Sequence, residues 1–90
     1  MLGIKNLFFI NLYFLFAFLN GNEIHYEKGM EAYKNNQFEL SVQEFTTILE
    51  KGWSSPELYY NLGNAYYRLG NISGSVWSYE SCLMMKPNHH

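Results

Sequence analysis

The chain has one cysteine, no aspartate and only six basic residues, and each scarcity closes a class of function. A single thiol, Cys82, makes neither an intramolecular disulfide nor a multi-thiolate metal site. Too few cations are present to neutralise a run of phosphates, so nucleic-acid binding lacks its main electrostatic term. Charge is sparse altogether, at 16% of residues, yet 48% are apolar and 19% aromatic, which is the opposite of a disordered composition. No phosphate-cradling glycine loop, nucleophile elbow or zinc-ligand spacing occurs anywhere.

The average composition conceals two unlike segments. Six of the seventeen aromatic residues (Phe8, Phe9, Tyr13, Phe14, Phe16 and Phe18) lie in the first twenty positions. All eight glutamates and five of the six bases lie beyond them, giving that part a net charge near −3. The opening segment has one charge, Lys5, and then runs apolar for thirteen residues from Leu7 to Leu19, broken only by Asn11. As a helix this run would span roughly 20 Å, short of the ~30 Å apolar core of a bilayer. With the polar exit Asn20-Gly21-Asn22-Glu23, residues 1–21 are expected to be a secretory signal peptide or, uncleaved, a signal-anchor that supplies the chain's only membrane contact, the remaining reading being a buried core helix of a soluble domain. The expected location is therefore exported: periplasmic, or held on the cytoplasmic membrane by this segment. Export would carry Cys82 into an oxidising compartment as an odd thiol.

From about residue 22 the chain repeats itself with a period of thirty-four. Tyr26 pairs with Tyr60, Gly29 with Gly63, Tyr33 with Tyr67, Ser41 with Ser75, Val42 with Val76, Phe45 with Tyr79 and Leu49 with Leu83. Asn36 falls on Gly70, and both residue types tolerate a left-handed backbone at a helix end. Each unit reads as two helices: Glu23 to about Asn35 and Phe38 to about Lys51, then Ser54–Glu57 to about Leu69 and Ile72 to Lys86. In Ser54-Ser55-Pro56-Glu57 the spacing of Ser54 and Glu57 matches a capping box, and Pro56 sits near the first helical position. Apolar periodicity predicts buried stripes of Tyr59, Leu62, Gly63 and Tyr66, of Val42, Phe45, Ile48 and Leu49, and of Val76, Tyr79, Cys82 and Leu83. Gly29 and Gly63 lie inside helices, where glycine costs about 1 kcal/mol against alanine. Close approach of the return helix is the expected reason, with Ser41 and Ser75 as its small facing residues.

The run Tyr59-Tyr60-Asn61-Leu62-Gly63-Asn64-Ala65-Tyr66-Tyr67-Arg68-Leu69-Gly70-Asn71, followed by Tyr79 and Pro87, resembles the tetratricopeptide repeat (TPR). The first unit departs from that pattern at Lys28, Ala32, Ile48 and Trp53, and the second at Cys82. The leader and the linker Leu49–Tyr60 are further similar to the exported TPR proteins (BatE-like) of the Bacteroides aerotolerance operon. The resemblance implies an all-α fold of two helix-turn-helix hairpins, a fragment of a right-handed α-solenoid, with a domain over 22–88 divided into repeats of about 22–55 and 56–88.

The same resemblance implies a non-enzymatic protein-interaction module that binds a peptide or partner protein, as part of a cell-envelope complex. The concave wall of such arrays is lined by leading helices, which places Tyr26, Met30, Tyr33, Tyr60, Asn64, Tyr67 and Arg68 in the expected binding face. Several of these tyrosines are equally open to a packing role between repeats. Asn61 and Asn64 match asparagines of carboxylate-clamping TPRs, but Tyr26 and Met30 stand where the partner positions of the clamp would be, so that ligand is not expected. The alternative is a structural fragment whose hairpins dock on further repeats or on another copy through an uncovered last helix exposing Val76, Trp77, Tyr79 and Leu83.

Catalytic and metal readings find little support, and no cofactor is expected. His25 stands alone at a helix start, and His89 and His90 are adjacent, so their side chains diverge. Glu27 and Glu31, flanked by Lys28 and Lys34, read as a solvated helix face. Cys82 lies on the inferred apolar stripe and reads as a packed thiol.

Overall fold

In the computed structural model, residues 21–86 are described, and among them the chain is all-helical with no strand. Four helices follow one another: α1 over 21–34, α2 Phe38–Glu50, α3 Pro56–Leu69 and α4 Ile72–Met85. Apart from Gly21, the expected signal or anchor segment lies outside the described residues. No helix among the described residues is long and apolar enough to cross a membrane.

Local chemistry sets these boundaries. Pro56 opens α3, where its missing N–H costs nothing, and Ser55 is the N-cap, accepting from the Leu58 N–H at 3.0 Å. The expected capping box through Ser54 and Glu57 does not form: the helix starts one residue later than that register requires, and Glu57 contributes its charge to the first turn instead. Asn71 caps α4 by accepting from the Gly74 N–H at 2.9 Å. At the end of α3, Gly70 has φ 83°, and Asn36 after α1 has φ 62°. Both turns close with the same pair of bonds. Gly70 N–H donates to Tyr67 and Asn71 N–H to Tyr66, as Asn36 N–H does to Tyr33 and Gln37 N–H to Ala32, so the thirty-four-residue repeat extends to the hydrogen bonding of the turns.

Packing repeats as well. Gly29 lies against the Phe45 ring and Gly63 against the Tyr79 ring; a Cβ on either glycine would stand 2.5 or 2.6 Å from a ring carbon. The reason for the two glycines is therefore an aromatic ring laid flat against the leading helix, and the facing serine adds to it: the Ser41 hydroxyl donates to the Gly29 carbonyl at 2.8 Å. Tyr26 tilts against Phe45 with centroids 5.7 Å apart, and Tyr60 against Tyr79 at 6.0 Å. Between the hairpins, Phe45 and Ile48 of α2 join Leu58 and Leu62 of α3 in one buried cluster, edged by Tyr26, Val42, Leu49 and Tyr66.

Two of the expected stripes need correction. In α3 the buried residues are Leu58, Leu62, Gly63 and Ala65, with Tyr59 and Tyr66 half-buried. This helix lies between α2 and α4 and so buries two lines rather than one. In α4 the buried residues are Ser75 and Ser78; Tyr79 and Cys82 are half-buried, while Val76 and Leu83 are exposed. Small serines let α4 approach α3 closely, and its branched residues point where the equivalent Val42 and Leu49 of α2 meet the next hairpin. Tyr79, expected among the uncovered residues, is instead held against α3.

Candidate functional site

The seven residues expected on the binding wall divide into two groups. Met30, Tyr60, Tyr67 and Arg68 are exposed, with Tyr60 at 54% and Tyr67 at 62%. Tyr26, Tyr33 and Asn64 are half-buried and engaged in internal contacts. The Asn61 amide donates to the Tyr26 hydroxyl at 2.6 Å, joining the leading helices of the two hairpins. Asn64 accepts from the Tyr79 hydroxyl within the second hairpin. These three side chains therefore shape the wall from behind, while Met30, Tyr60 and Tyr67 supply its free apolar area.

Along α1 runs an open groove of about 700 Å³ lined by Tyr26, Glu27, Met30, Glu31, Tyr33 and Lys34. Two carboxylates thus flank one side of the wall. Arg68 holds the other end: its guanidinium lies 4.5 Å from the centre of the Phe38 ring and 5.9 Å from that of Tyr33, and these two rings meet edge to face at 5.2 Å. The guanidinium thus lies over both rings within cation–π distance. This contact joins α3 to the α1–α2 turn. Phe38 carried no signal in the sequence that would have placed it here, because it falls at the start of the return helix and matches Ile72 in the repeat.

Two other pairings were illegible in sequence. His25 Nδ1 lies 2.6 Å from a Glu44 carboxylate oxygen, across nineteen residues, so the histidine expected to stand alone has a structural partner. Among the described residues, no group of three or more metal-ligating side chains converges. Cys82 is a free, half-buried thiol. Burial pushes the Tyr79 phenol above its ordinary value, and the surrounding Tyr60, Tyr33 and Tyr67 add to the rise.

Residues 56–89 match the family model of the tetratricopeptide repeat. No curated protein and no solved structure matches the chain. The second hairpin is therefore a tetratricopeptide repeat, a unit that generally mediates protein–protein interaction. The first hairpin repeats its glycine–ring packing and its turn geometry, and no homologue supports the narrower likeness to BatE-like proteins.

Proposed function

We propose that residues 22–88 form a two-repeat interaction module that binds an extended peptide or a protein segment on the wall built by α1 and α3. The observation that carries this reading is the exposure of Met30, Tyr60 and Tyr67 on the two leading helices, at 39%, 54% and 62%, beside a core that does not use them. Tyrosine offers a large contact face with few rotors to immobilise and a hydroxyl for an exposed backbone. The wall's charges favour a ligand with a basic group near Glu27 and Glu31 and an acidic or carbonyl group near Arg68. Tyr26, Tyr33 and Asn64 act in this scheme as positioning residues.

The test is selection of binding peptides from a displayed library on the full chain, followed by titration against Met30→Ala and Tyr67→Ala. Both side chains lie outside the buried core, so the variants should fold, as circular dichroism will check. Loss of at least about 1 kcal/mol of binding with either change is expected of a contact near the centre of a site. Peptides that bind the variants as well as the parent would place the site elsewhere.

The proposal also places the module outside the cytoplasm, in a cell-envelope complex, with residues 1–21 as its signal or anchor. Its support is the basic start, thirteen-residue apolar run and polar exit in the sequence. N-terminal sequencing of the product from fractionated cells tests it. Intact protein in the cytoplasmic fraction would overturn it.

A further inference from the structure

The leading helices α1 and α3 are tied at two points. Near the start of α1 the Asn61 amide donates to the Tyr26 hydroxyl at 2.6 Å. Seven residues further along each helix, Arg68 lies over the rings of Tyr33 and Phe38, its guanidinium carbon 5.9 and 4.5 Å from their centres. Seven residues are about two helical turns, roughly 10 Å. The buried joint between the hairpins is made by Phe45 and Ile48 of α2 with Leu58 and Leu62 of α3, so the angle between α1 and α3 depends on these ties. One tie is a pivot, whereas two at that separation fix a direction.

Phe38 is the member of this arrangement that stands outside the wall. It begins α2, and with Leu40 and Leu69 it lines a different groove, of about 430 Å³. Its reach to the wall is indirect. The ring meets Tyr33 edge to face at 5.2 Å, and Tyr33 lines the groove along α1. Burial raises the Tyr79 phenol, and those of Tyr60, Tyr33 and Tyr67 add to the rise, so the Tyr33 hydroxyl stands among the tyrosines of the second hairpin. The second hairpin has no such corner: Ile72, the counterpart of Phe38, carries no ring and is 56% exposed.

We infer that Phe38 is a positioning residue for ligand binding: it holds the Arg68 guanidinium against Tyr33 and thereby fixes α1 and α3 at the angle a bound segment requires. The inference rests on the reading of these two helices as the binding wall. Met30 and Asn64 lie between the two ties in sequence, and Tyr67 adjoins the second. A cation over a ring at an exposed site is a weak contact, so its loss should weaken binding by about two- to fivefold. Leucine at this position keeps apolar contact and removes the ring face, while tryptophan supplies the face in its strongest form.

A peptide selected on the full chain is titrated into the parent, Phe38→Leu, Phe38→Trp, Arg68→Gln and the double variant Phe38→Leu with Arg68→Gln, with circular dichroism to confirm the fold. Phe38→Leu should weaken binding about two- to fivefold, and Phe38→Trp should restore it. In the Arg68→Gln background Phe38→Leu should have no further effect, because the two side chains act as one unit. Parental affinity in Phe38→Leu, or full additivity of the two changes, would overturn the inference. A second measurement needs no ligand. Residual dipolar couplings of the α1 and α3 amides should fit a single alignment tensor in the parent and fit it worse in Phe38→Leu; an equal fit overturns the positioning role. Affinity lost with Tyr67→Ala but kept in Phe38→Leu removes this inference alone, whereas peptides indifferent to Met30→Ala and Tyr67→Ala remove the wall reading and this inference with it.

Discussion

The two hairpins share a backbone pattern and differ in which of their faces carry charge. The first exposes Lys28 and Glu31 where the second buries Leu62 and Ala65, and it covers Val42 and Leu49 where the second leaves Val76 and Leu83 in solvent. One end of the described structure is therefore polar and the other apolar. In a stacked helical array these are the properties of a terminal cap and of an interior unit. The comparison separates residues that make a hairpin, such as the two glycines and the serines that face them, from residues that decide whether a neighbour can sit on it.

The largest effect should separate the covered face from the open one. Leu62→Ala removes a fully buried side chain from the joint core and is expected to cost about 2–5 kcal/mol. Leu83→Ala, at a position 62% exposed, should change stability by no more than about 0.5 kcal/mol. Urea denaturation of both variants measures the contrast. Equal costs would show that the second face is already covered in solution.

The glycines sharpen the same contrast. Each carries an aromatic ring at nearly the same distance, but Phe45 is fully buried beneath α3 whereas Tyr79 is half-buried. Gly29→Ala is expected to destabilise by about 1–3 kcal/mol, the usual cost of overpacking a core. In Gly63→Ala the displaced ring partly relieves the clash and the ~1 kcal/mol gain in helix propensity offsets the rest, so its midpoint should fall less. The two denaturation midpoints, compared directly, check the order.

At a third position the repeats exchange polarity in pairs: Met30 with Phe45 in the first, Asn64 with Tyr79 in the second. Tyr79→Phe strips the Asn64 carbonyl oxygen of its donor and should cost about 1 kcal/mol. Adding Asn64→Met installs the first hairpin's combination and should recover most of the loss. The parent has a further signature. Because burial raises the Tyr79 phenol above its ordinary value of 10.0, its stabilising contribution is complete below about pH 10 and falls as pH rises through the folded value. The Tyr79→Phe variant lacks that alkaline loss, so the stability gap between parent and variant should narrow in titrations above that pH.

How far the sequence revealed this structure depended on whether a residue acts within its own repeat. The helices, both left-handed turn positions and the two glycines were legible because identical spacing recurs thirty-four residues apart. Cap register was not, since Ser54 and Ser55 are both competent and only the geometry of Pro56 selects the second. Exposure along the leading helices was half legible. Tyr60 and Tyr67 lie exposed as expected, but Tyr26 and Asn64 are drawn inward by Asn61 and Tyr79, whose side-chain directions no periodicity encodes. Arg68 on Phe38 and His25 on Glu44 join residues from different helices and different registers, so a search for like residues in register passes over them.

The smallest effect follows from that last pair. His25 and Glu44 tie α1 to α2, and their counterparts Tyr59 and Ser78 stand between α3 and α4. Tyr59 meets the Trp77 ring edge to face at 5.6 Å instead, and Ser78 is fully buried with a hydroxyl that has no partner. An aromatic contact has replaced the polar tie and left the serine's oxygen idle. Ser78→Ala removes an unsatisfied buried group and adds helix propensity, two changes of the same sign worth together about 0.5–1.5 kcal/mol. The variant should melt a few degrees above the parent. A lower melting temperature would mean that the Ser78 hydroxyl bonds within the fold, and that the second hairpin retains a polar tie of its own.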